Sequence, residues 1–242
     1  MSRLFHISDI HFGAEDRAAI DWFATVVDSE RPDVIVVTGD LTMRGRRREF
    51  AAAARWLGSL AAPVTVQPGN HDLPYFNLFE RFTTPYRRYA ALGASVHRPV
   101  ELADVAVVSL STTARVQWRF DWSKGNVSDT SLALTLAEIA AVPPGRPVLV
   151  ACHHPLVEAD TRTSGSTRGG AQALRALVAA GAAAVLTGHV HDPFDLAHEI
   201  DGKCIRLVGA GTLSERVRVT PPSFNDIRIE GKEINVSARY LD

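Results

Sequence analysis

Five short polar clusters punctuate the sequence, and each follows a stretch of residues typical of a β-strand. In chain order they are Asp9-Ile10-His11, Gly39-Asp40, Gly69-Asn70-His71-Asp72, His153-His154-Pro155 and Gly188-His189-Val190-His191. Four directly follow an unbroken run of apolar, mostly β-branched residues, which is typical of a strand buried on both faces, and the third follows the short segment Val64–Val66. Ligands of open α/β sheets bind beyond the carboxyl ends of the strands. We therefore expect the five clusters to converge at one sheet edge.

The apolar pattern between these clusters alternates between strands and helices. Buried strands are predicted at 4–8, 34–37, 64–67, 105–110, 148–151 and 183–187, and helices at 17–29, 46–60, 76–92, 131–141 and 171–180. This alternation is typical of βαβ units and a parallel sheet. The C-terminal part instead predicts hairpin strands at 194–200, 203–210, 223–229 and 233–240, with Asp201-Gly202 and Glu230-Gly231 as turn residues. We predict a single domain spanning residues 1–242.

The composition is that of an ordinary soluble globular protein. Of the 242 residues, 46% are hydrophobic and 22% are charged, and the net charge is −1, so no overall attraction to nucleic acid or to an anionic membrane is expected. The N-terminus has no apolar signal-peptide region, and no apolar run reaches the ~20 residues of a transmembrane helix. Two separate cysteines, Cys152 and Cys204, do not form a disulfide framework. We therefore predict a cytoplasmic protein.

Seven side chains of the polar clusters are candidate metal ligands. They are Asp9, His11, Asp40, Asn70, His153, His189 and His191. Carboxylate, imidazole and amide ligands without a thiolate suit Mn²⁺, Fe²⁺/Fe³⁺, Zn²⁺ or Co²⁺, and the missing thiolates argue against a structural zinc site. Residues i and i+2 of an extended chain point to the same side, so Asp-x-His and His-x-His can each face one ion. We expect two divalent metal ions.

The ordered set of clusters resembles the motifs of the calcineurin-like metallophosphoesterase superfamily. That pattern runs D-x-H, G-D, G-N-H-[DE], H-x-P or similar, and G-H-x-H, and all five blocks occur in order between Asp9 and His191. The zinc β-lactamase-like hydrolases require an H-x-H-x-D-H cluster, which this sequence lacks. The short chain is most similar to class III cyclic-nucleotide phosphodiesterases and glycerophosphodiesterase-like bacterial enzymes. The resemblance implies an α/β fold, a four-layer α-β-β-α sandwich of two mixed sheets.

The resemblance also implies roles for single residues. Asp9, His11 and His191 would hold the first ion, Asn70, His153 and His189 would hold the second, and Asp40 would bridge the two. A hydroxide between the ions would attack phosphorus in line. His71 would protonate the leaving alkoxide or contact the phosphoryl oxygens. Asn70 would also contact the substrate, and Asp72 would orient His71.

Three of these assignments have alternatives. The family pattern places the ligand two residues before the proline, which selects His153, and His154 is the alternative ligand. For Asp72 the alternative is an ordinary turn or cap residue. Arg44 is a candidate for holding a phosphate oxygen, because a cation at a helix start opposes the helix dipole and so has reason to face the metal crevice. The alternative for Arg44 is a solvated arginine cluster that pairs with Glu49.

Two irregular segments are candidate walls of a substrate pocket. The segment 111–129 contains Arg115, Trp118, Arg119 and Trp122. A segment of this length in a compact domain tends to be functional or disordered, and an ordinary hydrophobic lid or a dimer contact are the alternatives. The segment 158–170, with Arg162 and Arg168, is the second candidate wall.

The expected function is metal-dependent hydrolysis of small-molecule phosphodiesters with broad specificity, because an open metal crevice in a short chain would bind mainly the phosphate. The alternatives are a cyclic-nucleotide-specific phosphodiesterase and, in a different class, a catalytically silent binding scaffold. The scaffold is disfavoured because His71 and all seven candidate ligands are present. A nucleic-acid polymer is disfavoured as a partner, no membrane partner is expected, and a homo-oligomer is left open.

Overall fold

Two five-stranded mixed sheets form the centre of the protein in a computed structural model, which describes residues 1–96, 102–114, 123–158 and 167–242. The strands in these ranges are β1 (Ser2–Ile7), β2 (Val34–Val37), β3 (Val64–Val66), β4 (Ala106–Ser109), β5 (Val148–Ala151), β6 (Ala182–Thr187), β7 (Phe194–Ile200), β8 (Lys203–Gly209), β9 (Ser223–Glu230) and β10 (Glu233–Tyr240). The helices are α1 (Arg17–Glu30), α2 (Arg47–Ser59), α3 (Leu78–Thr83), α4 (Arg87–Val96), α5 (Asp129–Ala141) and α6 (Gly170–Ala179). No helix of these described ranges combines the length and the apolar character needed to cross a bilayer.

The order of the strands brings several parallel strands together in each sheet. The first sheet has the order β10-β9-β1-β2-β3, in which β1, β2 and β3 are parallel and β9 is antiparallel to both β1 and β10. The second sheet has the order β4-β5-β6-β8-β7, in which β4, β5, β6 and β8 are parallel and β7 is antiparallel to β8. In each sheet the carboxyl ends of the parallel strands therefore lie at one edge, where α/β proteins bind ligands.

Three apolar clusters hold the layers together. In β2, Val37 packs in the cluster beneath α1, which also contains Phe23 of that helix. The neighbouring Val36 points the opposite way, into a cluster made by the facing sides of the two sheets, because successive side chains of a strand alternate between its faces. A third cluster joins the second sheet to α5 and α6 through Ile139 and Leu174. The predicted four-layer α-β-β-α sandwich is thus confirmed.

One predicted element is wrong, whereas the other predicted strands and helices are confirmed with ends that differ by at most two residues. The predicted helix at 76–92 is two helices, α3 and α4. Thr84 precedes Pro85, and the proline ring disfavours a helical backbone for the residue before it. Thr84 accordingly has φ −139° and ψ 57°. The break allows α4 to pack Leu92 and Val96 into the apolar cluster of the first sheet.

Parts of the two predicted pocket walls lie outside the described residues. These parts include Arg115, Trp118, Arg119, Trp122 and Arg162. The described flanks of the two segments lie side by side, since Asn126 forms an isolated parallel bridge with Arg168.

Candidate metal centre

The seven predicted ligands lie in loops that begin where parallel strands end. Asp9 and His11 follow β1, Asp40 follows β2, Asn70 follows β3, His153 follows β5, and His189 and His191 follow β6. The loops of the two sheets meet directly, since the His189 N–H donates to Asp9 Oδ2 at 2.8 Å. The predicted convergence of these residues is therefore present in the fold.

Five of the seven have a backbone conformation that residues other than glycine rarely adopt. The φ angle is 54° at Asp9, 50° at His11, 51° at Asp40, 70° at His189 and 65° at His191. In L-residues this left-handed conformation costs about 1 kcal/mol or more, and such strain concentrates at functional sites. The sharp turns that it produces aim consecutive polar side chains back into one small volume.

Two glycines allow the loops to approach each other closely. A Cβ atom on Gly69 would lie 2.0 Å from Asp40 Oδ1, and one on Gly188 would lie 2.6 Å from Asp9 Oδ2. Both distances are shorter than Cβ atoms tolerate, so a larger residue would displace a carboxylate. This crowding is the physical reason for the leading glycine in the Gly-Asn-His-Asp and Gly-His-Val-His clusters.

The first group of predicted ligands consists of Asp9, His11 and His191, all buried. Asp9 Oδ1 lies 3.1 Å from His191 Nε2 and 3.6 Å from His11 Nε2, and the two imidazole nitrogens are 3.4 Å apart. Asp9 Oδ1 nevertheless makes no hydrogen bond of acceptable geometry. Three electron-rich atoms thus face a common point, which fits a bound cation.

The second group gathers around His153. Its Nε2 atom lies 3.1 Å from Asn70 Oδ1 and 3.4 Å from Asp40 Oδ2, and its ring centroid is 5.2 Å from that of His189. Asp40 Oδ2 is also 3.9 Å from His11 Nε2. Asp40 is therefore the carboxylate that lies between the two groups, as a bridging ligand must.

The electrostatics of the cluster also fit a cation. Burial alone would raise the pKa of Asp40, but His153 and then His71 lower that pKa far below its usual value. Burial opposes protonation of His153, yet the Asp40 carboxylate raises the pKa of this imidazole to about 9. Burial and then His153 lower the pKa of His189 to about 4. A proton on His153 thus balances charge that a metal ion would balance once it displaced that proton.

The hydrogen bonds of the ring nitrogens distinguish His153 from His154 as a metal ligand. His153 donates its Nδ1–H to the Thr38 carbonyl at 2.7 Å, which leaves Nε2 for the centre. In His154 both nitrogens are occupied: Nε2 donates to the Ser123 carbonyl at 2.9 Å, and Nδ1 is 2.9 Å from Thr112 Oγ1. A metal ligand needs one free nitrogen and commonly donates from the other. This pattern favours His153 as the ligand and gives His154 a structural role.

His71 and Asp72 lie beside the centre but do not interact as expected. His71 donates its Nδ1–H to the Met43 carbonyl at 2.7 Å, and its own N–H donates to Asp40 Oδ1 at 2.8 Å. The Asp72 carboxylate accepts from the N–H groups of Gly69, Leu41 and Thr42 and from Thr42 Oγ1. Asp72 therefore joins two loops, and Met43, not Asp72, orients the His71 ring.

Arg44 is not drawn into the centre. Its side chain is exposed, and its Cζ atom lies 6.0 Å from the ring centroid of the exposed Phe76. In the described part of the chain, no predicted ligand hydrogen-bonds to Arg44. Glu49 accepts from the Arg44 backbone N–H at 2.8 Å. The contacts thus match the solvated arginine cluster better than a phosphate-binding role.

Arg216 reaches the centre, although the sequence motifs did not indicate it. Its Nη1 atom is 3.1 Å from His11 Nε2 and 3.3 Å from His71 Nε2. Its carbonyl accepts the Nδ1–H of His191 at 2.6 Å. A signal was available: β8 is predicted as a strand and runs parallel to β6, so the loop that follows it opens at the same edge.

Substitution of the two adjacent histidines tests the ligand assignment. We expect His153→Gln to lose one of the two expected ions, because it removes a nitrogen that faces the centre. His154→Gln should retain both, since its ring bonds only to protein groups. Metal content per chain, measured by plasma mass spectrometry after dialysis, distinguishes them. Equal loss in both variants, with equal thermal stability, would contradict the assignment.

Substitution of Asp72 tests its bracing role. Asp72→Ala leaves three buried N–H groups without their acceptor, and each such donor costs about 1–3 kcal/mol. We expect the free energy of unfolding of the metal-free protein to fall by about 3 kcal/mol or more, and to fall less in Asp72→Asn. Urea unfolding gives the values. Asp28→Ala is the matched control, because this carboxylate is 71% exposed and pairs with Arg31 at the surface. Equal stability of the Asp72→Ala and Asp28→Ala variants would contradict the bracing role.

Parts of this chain are similar in sequence to curated proteins. The glycerophosphodiester phosphodiesterase GpdQ of Enterobacter lignolyticus is 39% identical over 80 residues, which are 28% of this chain and 29% of that protein. A probable cyclic nucleotide phosphodiesterase of Rhodopseudomonas palustris is 28% identical over 131 residues, which are 53% of this chain and 45% of that protein. The matching stretches thus span less than half the length of these curated relatives. The resemblance inferred from the motifs is confirmed.

Solved structures share the fold. A dimetal phosphatase from Danio rerio superposes with a TM-score of 0.68 at 15% identity and covers 99% of this chain and 96% of its own. The purple acid phosphatase PPD1 of yellow lupin superposes with a TM-score of 0.65 at 12% identity, over 99% of this chain and 51% of its own. The family model described as calcineurin-like phosphoesterase matches residues 2–193. Since that match covers most of the sequence, the chain belongs to the calcineurin-like phosphoesterase family.

Proposed function

We propose that the protein is a binuclear-metal phosphodiesterase with broad specificity for small diesters. The observation that carries the proposal is the position of Asp40, whose buried carboxylate lies 3.4 Å from His153 and 3.9 Å from His11 in two neighbouring ligand groups. A site for one ion would not require a carboxylate between two such groups. The relatives named as phosphodiesterases support the choice of diesters.

Each ion would have its own set of protein ligands. Asp9, His11 and His191 would hold one ion, Asn70, His153 and His189 would hold the other, and Asp40 would contact both. The donor set suits Mn²⁺, Fe²⁺/Fe³⁺, Zn²⁺ or Co²⁺. Bound ions of this kind supply Lewis acidity and lower the pKa of water.

His71 would act on the leaving group. The hydrogen bond from its Nδ1–H to the Met43 carbonyl fixes the orientation of the ring. Nε2 is the atom that faces the centre, and it would carry the proton that passes to the departing alkoxide. Asn70, which lies next to His71 and on the same short turn, would contact a phosphoryl oxygen.

Two alternatives stay distinguishable from this proposal. A cyclic-nucleotide-specific phosphodiesterase would use the same ligands, and a probable enzyme of that kind is among the relatives. A silent scaffold would have no reason to retain His71 together with a complete ligand set. The buried and strained ligands, together with the unbonded Asp9 Oδ1 atom, support a working metal centre over a scaffold.

We further propose a small-molecule substrate and a single-domain cytoplasmic protein. The net charge of −1 supports a small diester over a nucleic-acid polymer. The apolar cluster shared by the facing sides of both sheets supports one domain. Cys152 and Cys204 are both free, which fits a reducing compartment.

A diester panel tests the function. We expect metal-loaded protein to turn over bis(p-nitrophenyl) phosphate faster than p-nitrophenyl phosphate, and to cleave glycerophosphodiesters as well as 3′,5′-cyclic nucleotides. A chelator should abolish turnover, and added Mn²⁺ should restore it. Cleavage of cyclic nucleotides alone would favour the narrower enzyme. A strong monoester preference, or turnover that survives complete metal removal, would refute the proposal.

The role of His71 gives a separate prediction. His71→Ala should lower kcat by about 10²-fold or more, with a larger loss for an alkyl leaving group than for p-nitrophenolate, which needs little protonation. Metal content should be unchanged. His198→Ala, a substitution in β7 outside the predicted site, is the control and should keep full turnover. Unchanged turnover in His71→Ala would contradict the leaving-group role of His71.

A further inference from the structure

The loop after β8 is fastened to the metal centre at several points. Thr212 Oγ1 donates to the Asp9 carbonyl at 2.6 Å and lies 2.7 Å from Ser214 Oγ. The Arg216 N–H donates to Ser214 Oγ at 3.3 Å. Farther along, Asp192 Oδ1 accepts from the N–H groups of residues 219 and 220 at 3.1 and 3.2 Å. Arg216 is therefore held between two anchors that belong to the ligand loops themselves.

The backbone carbonyl and the side chain of Arg216 make different contacts, which are here called its first and second tasks. Its backbone carbonyl accepts the Nδ1–H of His191 and so orients that ring. Its side chain extends the other way, and Nη1 reaches His11 Nε2 at 3.1 Å and His71 Nε2 at 3.3 Å. Because the carbonyl belongs to the backbone, a side-chain substitution leaves the first task intact and removes only the second.

Among the residues that the structure describes, the guanidinium of Arg216 has no carboxylate partner. In the described ranges, no Asp or Glu oxygen lies within the ion-pair distance of 4.0 Å from it, whereas arginines such as Arg3 and Arg206 pair with carboxylates. The residue is only partly exposed. A partly buried guanidinium whose Nη1 contacts two imidazoles and lies 4.0 Å from Met43 Sδ has its charge available for an anion.

At His11 Nε2, a metal ion and the Arg216 guanidinium would compete for the same lone pair. The lone pair of His11 Nε2 cannot both bind an ion and accept a hydrogen bond from Arg216. An ion bound at His11 would therefore remove that hydrogen bond and leave the guanidinium available to a nearby anion. In the proposed function, that anion is the phosphoryl group that also contacts His71.

We propose that Arg216 is a phosphate-binding residue, which grips the non-bridging oxygens of the substrate and of the released phosphate ester; this inference rests on the proposed phosphodiesterase function. Arginine suits this role because its planar fork can donate two parallel hydrogen bonds to phosphate. The contact neutralises charge on the phosphoryl group and positions it against His71. No proton leaves the guanidinium, so Arg216 binds and orients the substrate without acting as an acid.

The test compares Arg216→Ala, Arg216→Lys and the matched control Arg218→Ala, an exposed arginine on the same loop. The dissociation constant of inorganic phosphate for the metal-loaded protein is measured by calorimetry. We expect Arg216→Ala to raise it at least tenfold, or about 1.4 kcal/mol, with Arg216→Lys between Ala and wild type. Arg218→Ala should bind phosphate as the wild type does. KM for diesters should rise more than kcat falls.

Titration of the metal-free variants with Mn²⁺ separates binding from support of the fold. Because the competing hydrogen bond is gone, Arg216→Ala should bind the ions as tightly as the wild type or more tightly. Unchanged phosphate affinity in Arg216→Ala, or loss of ions together with loss of phosphate, would overturn the inference. If the wild type cleaves no diester while Arg216→Ala still weakens phosphate binding, the proposed function fails and the phosphate-binding role stands.

Discussion

Burial of two carboxylates where two sheets meet is the constraint on which the rest of the site depends. Asp9 and Asp40 are 0% and 1% exposed, and a buried carboxylate must be paired or coordinated to be tolerated. Neutral imidazoles cannot supply the positive charge that would balance these carboxylates, and protonated imidazoles are themselves costly to bury. Among the surrounding histidines, His153 and His191 donate from the other ring nitrogen to a backbone carbonyl, as metal-bound histidines commonly do. In the proposed function, a pair of divalent cations would balance the carboxylate charge, and no imidazole would need an extra proton.

The backbone around these carboxylates is strained, and the surrounding hydrogen bonds keep it in place. Left-handed turns at five predicted ligands would relax in an isolated peptide, since each is unfavourable by about 1 kcal/mol or more. Asp72 ties the loops after β2 and β3 together, and Thr212 ties the loop after β8 to that after β1. These hydrogen bonds hold the loops in the arrangement that brings the predicted ligands together, which limits the reorganisation that binding or catalysis requires.

Residues on the periphery of the centre divide into those that support the loops and those that would face a substrate in the proposed function. His154 and Asp72 are buried and fully bonded to protein groups, so they maintain the shape of the loops. His71 and Arg216 direct ring or guanidinium nitrogens into the centre and have other atoms fixed by the backbone or by the loop. With this division, one loop cluster can be closely packed and still present nitrogens to the small phosphate ester of the proposed function.

Local patterns along the chain were sufficient for the sheet edge, the identity of the candidate ligands and the strand-and-helix order, except for the break between α3 and α4. Unbroken apolar runs identify buried strands, and side chains such as Asp9 and His153 fall just beyond their ends. Three features depended on tertiary structure. Both nitrogens of His154 are occupied by Thr112 and by Ser123, and Asp72 bonds to loops instead of His71. Arg216 lies in the loop that follows β8, the fourth parallel strand of the second sheet, and outside every sequence motif. The contacts of Asp72 with Thr42 and of Arg216 with His11 join residues that are 30 and 205 positions apart. The periodicity of a sequence carries no information about which side chains two folded loops will bring within bonding distance.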